Sequence, residues 1–249
     1  MTSARPPTHA PLARLAEGYW FESRQPLASL VFIAPLLIAY EAGVLMLGPG
    51  EFRNGADALM RGMLTRLGFG QYFLLPVLTV CLLLGWHYTT RRPWRLSRGL
   101  LWGMAGECML LSVCLWLLAQ LQGFLLRAPA APIDLSIFQT IGTAVGYIGA
   151  GIYEELLFRL ILLSLTVWVL KRIKVRPQSR IIAAVLLTSL LFAAAHYVGR
   201  YGDTLLWYTF TFRFLAGVFF AILFVFRGFG IAAGAHAGYD ILVGLSYGG

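Results

Sequence analysis

Seven apolar runs of spanning length, at 27–47, 71–90, 99–121, 137–170, 181–198, 205–226 and 229–247, leave this chain few ways to fold. An open strand cannot satisfy its backbone in lipid, and roughly 20 apolar residues of helix cross a hydrocarbon core about 30 Å thick. The expected fold class is therefore all-α: a polytopic transmembrane helical bundle of about seven spans plus one interfacial amphipathic helix. A chain that is 59% hydrophobic and 12% charged is not a water-soluble domain. The fourth run is longer than one span needs. It is expected to tilt, to break near Gly142, Gly146, Gly149 and Gly151, or to begin with an interfacial turn.

The formal net charge of +9 comes from 18 Arg and 2 Lys. Topology explains this better than nucleic-acid binding, because the basic residues cluster between apolar runs, at Arg91-Arg92-Pro93-Trp94-Arg95 and at Lys171-Arg172-Ile173-Lys174-Val175-Arg176. No nucleic-acid partner is expected. The positive-inside rule puts the N-terminus in the cytosol and the C-terminus outside, in what is expected to be a bacterial plasma membrane. Cys81, Cys108 and Cys114 are odd in number and form no CxxC pair, so neither a disulfide framework nor a zinc knuckle is implied.

Arg53, Arg61 and Arg66 fall on the outer side of this path. Ala56, Leu59, Met60, Met63, Leu64 and Leu67 recur there at helical spacing, with Arg61 and Arg66 off the stripe. The reading is an amphipathic helix near 54–69, lying on the membrane surface or packed on the bundle. With no internal repeat or soluble linker visible, one integral domain is the simplest account, made of a cytosolic segment at 1–26, N-terminal transmembrane helices at 27–130 and a C-terminal transmembrane core at 131–249.

Within that last part, Glu154-Glu155-Leu156-Leu157-Phe158-Arg159 sets three ionisable residues in an apolar run. Each costs roughly 2.5 to 3.5 kcal/mol at the centre of a spanning helix, so together they demand a partner, a wet cavity or chemistry. Glu155 and Arg159, four residues apart, share a face as an ion pair. Glu154 points about 100° away and is the carboxylate less committed to that pair. His196 ends a later run after Ala193-Ala194-Ala195, and His236 and Asp240 share a face of the last run. Taken singly, each of these fits a packed core residue, and the glutamates with Arg159 could form a structural knot. Three polar sites on three runs, each beside small residues, point instead to one assembled site. Glu41, Glu107 and Arg213 also lie in apolar runs and are expected to pair with one another. His87, His9, Asp134 and Asp203 receive no catalytic role.

In their order, Glu154-Glu155 with Arg159, Phe192 with His196, and His236 with Asp240 resemble the EExxxR, FxxxH and HxxxN/D motifs of the CPBP family, the CAAX prenyl endoprotease and Abi group of intramembrane proteases. The resemblance covers about 137–247. It implies an intramembrane endopeptidase that hydrolyses a peptide bond with a glutamate-activated water. In that scheme Glu154 is the base, His196 helps orient the water, His236 with Asp240 stabilises the oxyanion, and Glu155 and Arg159 support. Base catalysis by a carboxylate and stabilisation by donors held in a dry site are both reasonable chemistry. An ionised Asp240 has no proton to donate, so it must be protonated, fix the tautomer of His236, or join a metal site.

A glutamic mechanism without a cofactor is favoured. The metalloprotease alternative would use Glu154, His196, His236 and Asp240 as zinc ligands, although there is no HExxH. Counting residues from the basic loops puts the four side chains in the outer half of the bilayer, so the expected substrate is a membrane protein or peptide presented from outside, such as an exported protein's anchor or sorting tail. The competing classes are a non-catalytic scaffold or bacteriocin-immunity-type factor, and a small transporter.

Overall fold

The computed structural model describes residues 18–48, 53–126, 137–199 and 202–247. Most of the expected cytosolic segment, with His9, lies outside the described residues, as does Asp134. Every described element is a helix. After a helical turn at 18–23 come α1 (Pro26–Leu47), α2 (Gly55–Arg66), α3 (Leu74–Thr90) and α4 (Leu100–Leu126). A long composite helix, α5, starts as Ile137–Gly149 and ends as Ser164–Arg172. It is followed by α6 (Pro177–Ala195), α7 (Trp207–Arg227) and α8 (Phe229–Tyr247).

Four helices, α1, α4, α6 and α7, are long and apolar enough to cross a membrane, and α3 is a shorter apolar helix of 17 residues. The remaining two runs are helical but differ from simple spans. Between its α-helical ends α5 winds as π-helix over Ala150–Glu154 and Leu156–Leu163. The expected break is thus a change of winding, with Glu154 and Glu155 at the junction. π turns widen the helix and recur at functional sites. In α8 the apolar pattern is diluted by glycines, His236 and Asp240.

α8 is the hub of the bundle and packs on α4, α7, α1 and the first π segment of α5. Small residues make this possible, since close backbone approach and dispersion replace the hydrophobic effect between helices in lipid. Ala232, Ala233, Ala235 and Ala237 are all buried. A Cβ on Gly151 would sit 2.6 Å from the Ala233 carbonyl oxygen and 2.7 Å from the Ala237 nitrogen, so only glycine lets α5 and α8 meet there. One apolar cluster joins Ile33, Leu37, Tyr40 and Val44 of α1 to Ile152, Tyr153 and Leu156 of α5 and to Phe229 and Ala233 of α8. The helices before residue 131 and those after it share that core.

The polar residues of the N-terminal half sort into two knots, and this corrects the expected pairing of Glu41, Glu107 and Arg213 with one another. Glu41 binds Arg61 Nη2 at 2.8 Å and accepts from the Tyr153 hydroxyl at 2.7 Å. Glu107 takes both Arg227 Nε and Nη2, at 2.5 and 2.7 Å, and the Tyr19 hydroxyl. Burial and that carboxylate push the Tyr19 hydroxyl above its ordinary range. Arg213 reaches Asp203 and lies over the Tyr197 ring. Each charge has found its partner on another element, and the surrounding helices desolvate the Glu41–Arg61 and Glu107–Arg227 pairs, whereas Arg213–Asp203 stays exposed.

α2 takes the second of the two placements expected at 54–69, packed on the bundle. Asn54 caps it by accepting from Ala56 N at 2.8 Å. Ala56, Asp57 and Met60 are buried, whereas Leu59, Met63 and Leu67 of the apolar stripe are exposed. Arg61, off the stripe, points inward. Fully buried Asp57 takes Arg61 Nε at 2.5 Å, Arg53 Nη1 at 2.6 Å and the Tyr40 hydroxyl at 2.7 Å. Electrostatics draws Asp57 and Arg61 toward the bundle beside Ala56, Met60 and Leu64 of the stripe, and leaves Leu59, Met63 and Leu67 outward.

Candidate active site

Three helices bring their polar residues together against the π-wound part of α5. Glu155 and Arg159 are both fully buried, with Arg159 Nη1 3.2 Å from Glu155 Oε1. The guanidinium also donates to the Gly217 carbonyl at 3.2 Å and lies 4.3 Å from the centroid of Phe192, so α6 and α7 help to enclose it. His236 stacks on Phe220, centroids 4.3 Å apart, and donates its Nδ1 proton to Glu155 Oε1 at 2.8 Å. Glu155 therefore does what the sequence reading allowed for Asp240: it fixes the tautomer of His236. The i, i+4 spacing sets Asp240 Oδ2 beside the other nitrogen, 3.6 Å from Nε2.

His196 is placed by the end of α6, where its Nδ1 donates to the Phe192 carbonyl at 2.8 Å. Because both imidazoles use Nδ1 for a fixed acceptor, both Nε2 atoms turn inward. Both face the same atom. Glu154 Oε2 lies 3.9 Å from His196 Nε2 and 3.8 Å from His236 Nε2. That oxygen is buried and has no hydrogen-bond partner, whereas Glu154 Oε1 accepts from Asn54 Nδ2 at 2.9 Å.

The residues named from the sequence, Glu154, His196, His236 and Asp240 with Glu155 and Arg159, thus converge on one place. Asn54 was missed. Its signal was an Asn in front of a helical stripe, which reads only as a cap.

Glu154 Oε2 and the two Nε2 atoms within 4 Å of it leave a gap that calls for a bridging hydrogen-bonding group. A water fits that description, because it can donate to the carboxylate or a ring and present its oxygen to a substrate. A tetrahedral zinc with bonds of about 2.1 Å would hold its donors about 3.4 Å apart, closer than Glu154 stands to either ring. Among the described residues no group of three His, Cys, Asp or Glu is arranged to hold a metal ion.

The fold and the site together define a class, an integral membrane helical bundle with a buried carboxylate–imidazole centre. Residues 135–242 match the family model of type II CAAX prenyl endopeptidase, Rce1-like, and this match supports membership of the CPBP family. That similarity supports a protease of the CAAX endopeptidase type. No curated protein and no solved structure matches the chain.

Proposed function

We propose that the chain is an intramembrane endopeptidase in which Glu154 activates a water to hydrolyse a peptide bond of a membrane-associated protein or peptide. The carrying observation is the buried, unpartnered Oε2 of Glu154 opposite two imidazoles whose tautomers are set by Phe192 and Glu155. A water in that gap gives one proton to Glu154 Oε2, and its oxygen attacks the scissile carbonyl carbon while His196 Nε2 holds the second hydrogen. The carbonyl π electrons move to oxygen. A protonated His236, flanked by Glu155 and Asp240, donates Nε2–H to that oxyanion. In this scheme Asp240 needs no proton, because it faces the ring and offsets its charge. Collapse of the tetrahedral intermediate breaks the C–N bond, and the proton on Glu154 passes to the leaving nitrogen. No step here uses zinc.

The same reading takes the seven apolar runs as seven spans, with the N-terminus cytosolic and the C-terminus outside a bacterial plasma membrane. The site then lies in the outer half of the bilayer and serves anchors or sorting tails of exported proteins.

The test compares cells making wild type or Glu154→Gln at matched abundance, by mass spectrometry of the termini of membrane and exported proteins. New termini that vanish in the variant are expected, and their sequences name the substrates and the side served. Termini unchanged by the variant would refute proteolysis and favour a scaffold or immunity-type protein.

A further inference from the structure

Asn54 comes from outside the segment that matches the family, yet it touches the carboxylate at the centre of the site. Its geometry admits one amide orientation. Oδ1 is spent on the Ala56 nitrogen at 2.8 Å, so the Nδ2 group must face Glu154. The backbone nitrogen of Asn54 donates to the Tyr40 hydroxyl at 3.2 Å, and that hydroxyl donates to Asp57. Asp57 in turn holds Arg53 and Arg61, and Arg61 reaches Glu41, which accepts from Tyr153. Asn54 is therefore clamped between α1, α2 and α5 before it meets its target.

A glutamate side chain turns about several bonds, and either oxygen of Glu154 could face the imidazoles. The amide binds Oε1 and so leaves Oε2 toward His196 and His236. The charged or titratable groups around Glu154 include those two histidines, Asp240, and Glu155 with Arg159, and Arg213 of α7 acts in turn on His196 and Asp240. The structure assigns Asn54 as a positioning residue: we propose that it pins the rotamer of Glu154 and aims Oε2 at the water site, so that docking of α2 completes the centre carried by α5, α6 and α8. This rests on Glu154 being the base.

The test must separate positioning from capping. Asn54→Ser and Asn54→Asp both keep a cap oxygen and remove the amide donor. In full-length protein reconstituted into liposomes, the infrared carboxylate stretch assigned to Glu154 by its loss in Glu154→Gln is expected to shift in Asn54→Ser. The kcat on a peptide spanning the wild-type cleavage site is expected to fall about tenfold to a hundredfold with little change in KM, as for one lost hydrogen bond to a charged group. In Asn54→Asp a second carboxylate opposes ionisation of the first, and the acid limb of the rate–pH profile moves up by about one unit or more. An unshifted stretch in Asn54→Ser, with wild-type kcat in that variant and a wild-type pH profile in Asn54→Asp, overturns the proposal and leaves Asn54 a cap. If Glu154→Gln cleaves as well as wild type, the protease reading fails, and with it the assignment of Glu154 as base. The infrared shift then decides the hydrogen bond alone.

Discussion

Arg159→Met tests whether the buried pair beneath the site is structural. The substitution removes the guanidinium from Glu155 Oε1, from the Gly217 carbonyl and from the face of Phe192, and it leaves Glu155 wholly buried with His236 as its remaining partner. Breaking a buried ion pair by deleting one member costs about 3 to 5 kcal/mol, because the other charge stays desolvated. Removing both charges is far cheaper, so Arg159→Met/Glu155→Gln should recover to within about 2 kcal/mol of wild type. Cys108 is a built-in reporter for this cycle. It is buried, whereas Cys81 and Cys114 are exposed and can be replaced by alanine. Labelling of Cys108 by a thiol dye across a titration with denaturing detergent then follows unfolding. The double variant should fold well yet cleave poorly, because an amide at position 155 still accepts the Nδ1 proton of His236 but offsets no charge on the ring. Stability of Arg159→Met within about 1 kcal/mol of wild type, or a double variant no more stable than the single, would refute the reasoning.

Three further outcomes follow from the same geometry. Gly151→Ala drives a methyl into the backbone of Ala233 and Ala237, so it should cost about 1 to 3 kcal/mol or more and abolish cleavage by moving Glu154 away from His236; the Cys108 titration and the terminus assay measure the two effects. Glu107→Gln unpairs Arg227 far from the site and should lower stability by about 1 to 3 kcal/mol while cleavage per folded molecule is unchanged. Chelation with a zinc-selective reagent, followed by gel filtration, should leave cleavage of the identified peptide at its untreated rate, and loss restored by added zinc would reinstate the metalloprotease reading.

What could be read from the sequence was set by spacing. The i, i+4 relation gave the Glu155–Arg159 pair and placed His236 and Asp240 on one face, because helix geometry fixes such neighbours whatever surrounds them. Winding could not be read. An apolar run that carries several glycines admits a π turn and a glycine break alike, so nothing in the residue pattern separated the two. Partners across helices were equally hidden. Arg61 and Arg66 looked alike as off-stripe arginines, but Arg61 faces Asp57 and Glu41 while Arg66 lies exposed in the last turn of α2. Asn54 carried the plainest local signal, a helix cap, and its contact with Glu154 spans 100 residues of chain.

The ionisable residues of the bundle divide by the kind of partner they meet. Glu41, Asp57, Glu107 and Glu155 each lie against an arginine, which offsets the cost of desolvating a carboxylate and fixes one helix on another. Glu154 and Asp240 instead have imidazoles as their ion-pair contacts, at separations of 3.6 to 3.9 Å. A guanidinium is always charged and would hold a carboxylate in one protonation state, whereas an imidazole can take up or give up a proton near neutral pH. The arrangement therefore keeps permanent charge pairs for the scaffold and gathers the groups able to exchange protons at one point. A centre that passes a proton from water to Glu154 and on to a leaving amine needs that separation, and a purely structural polar knot does not.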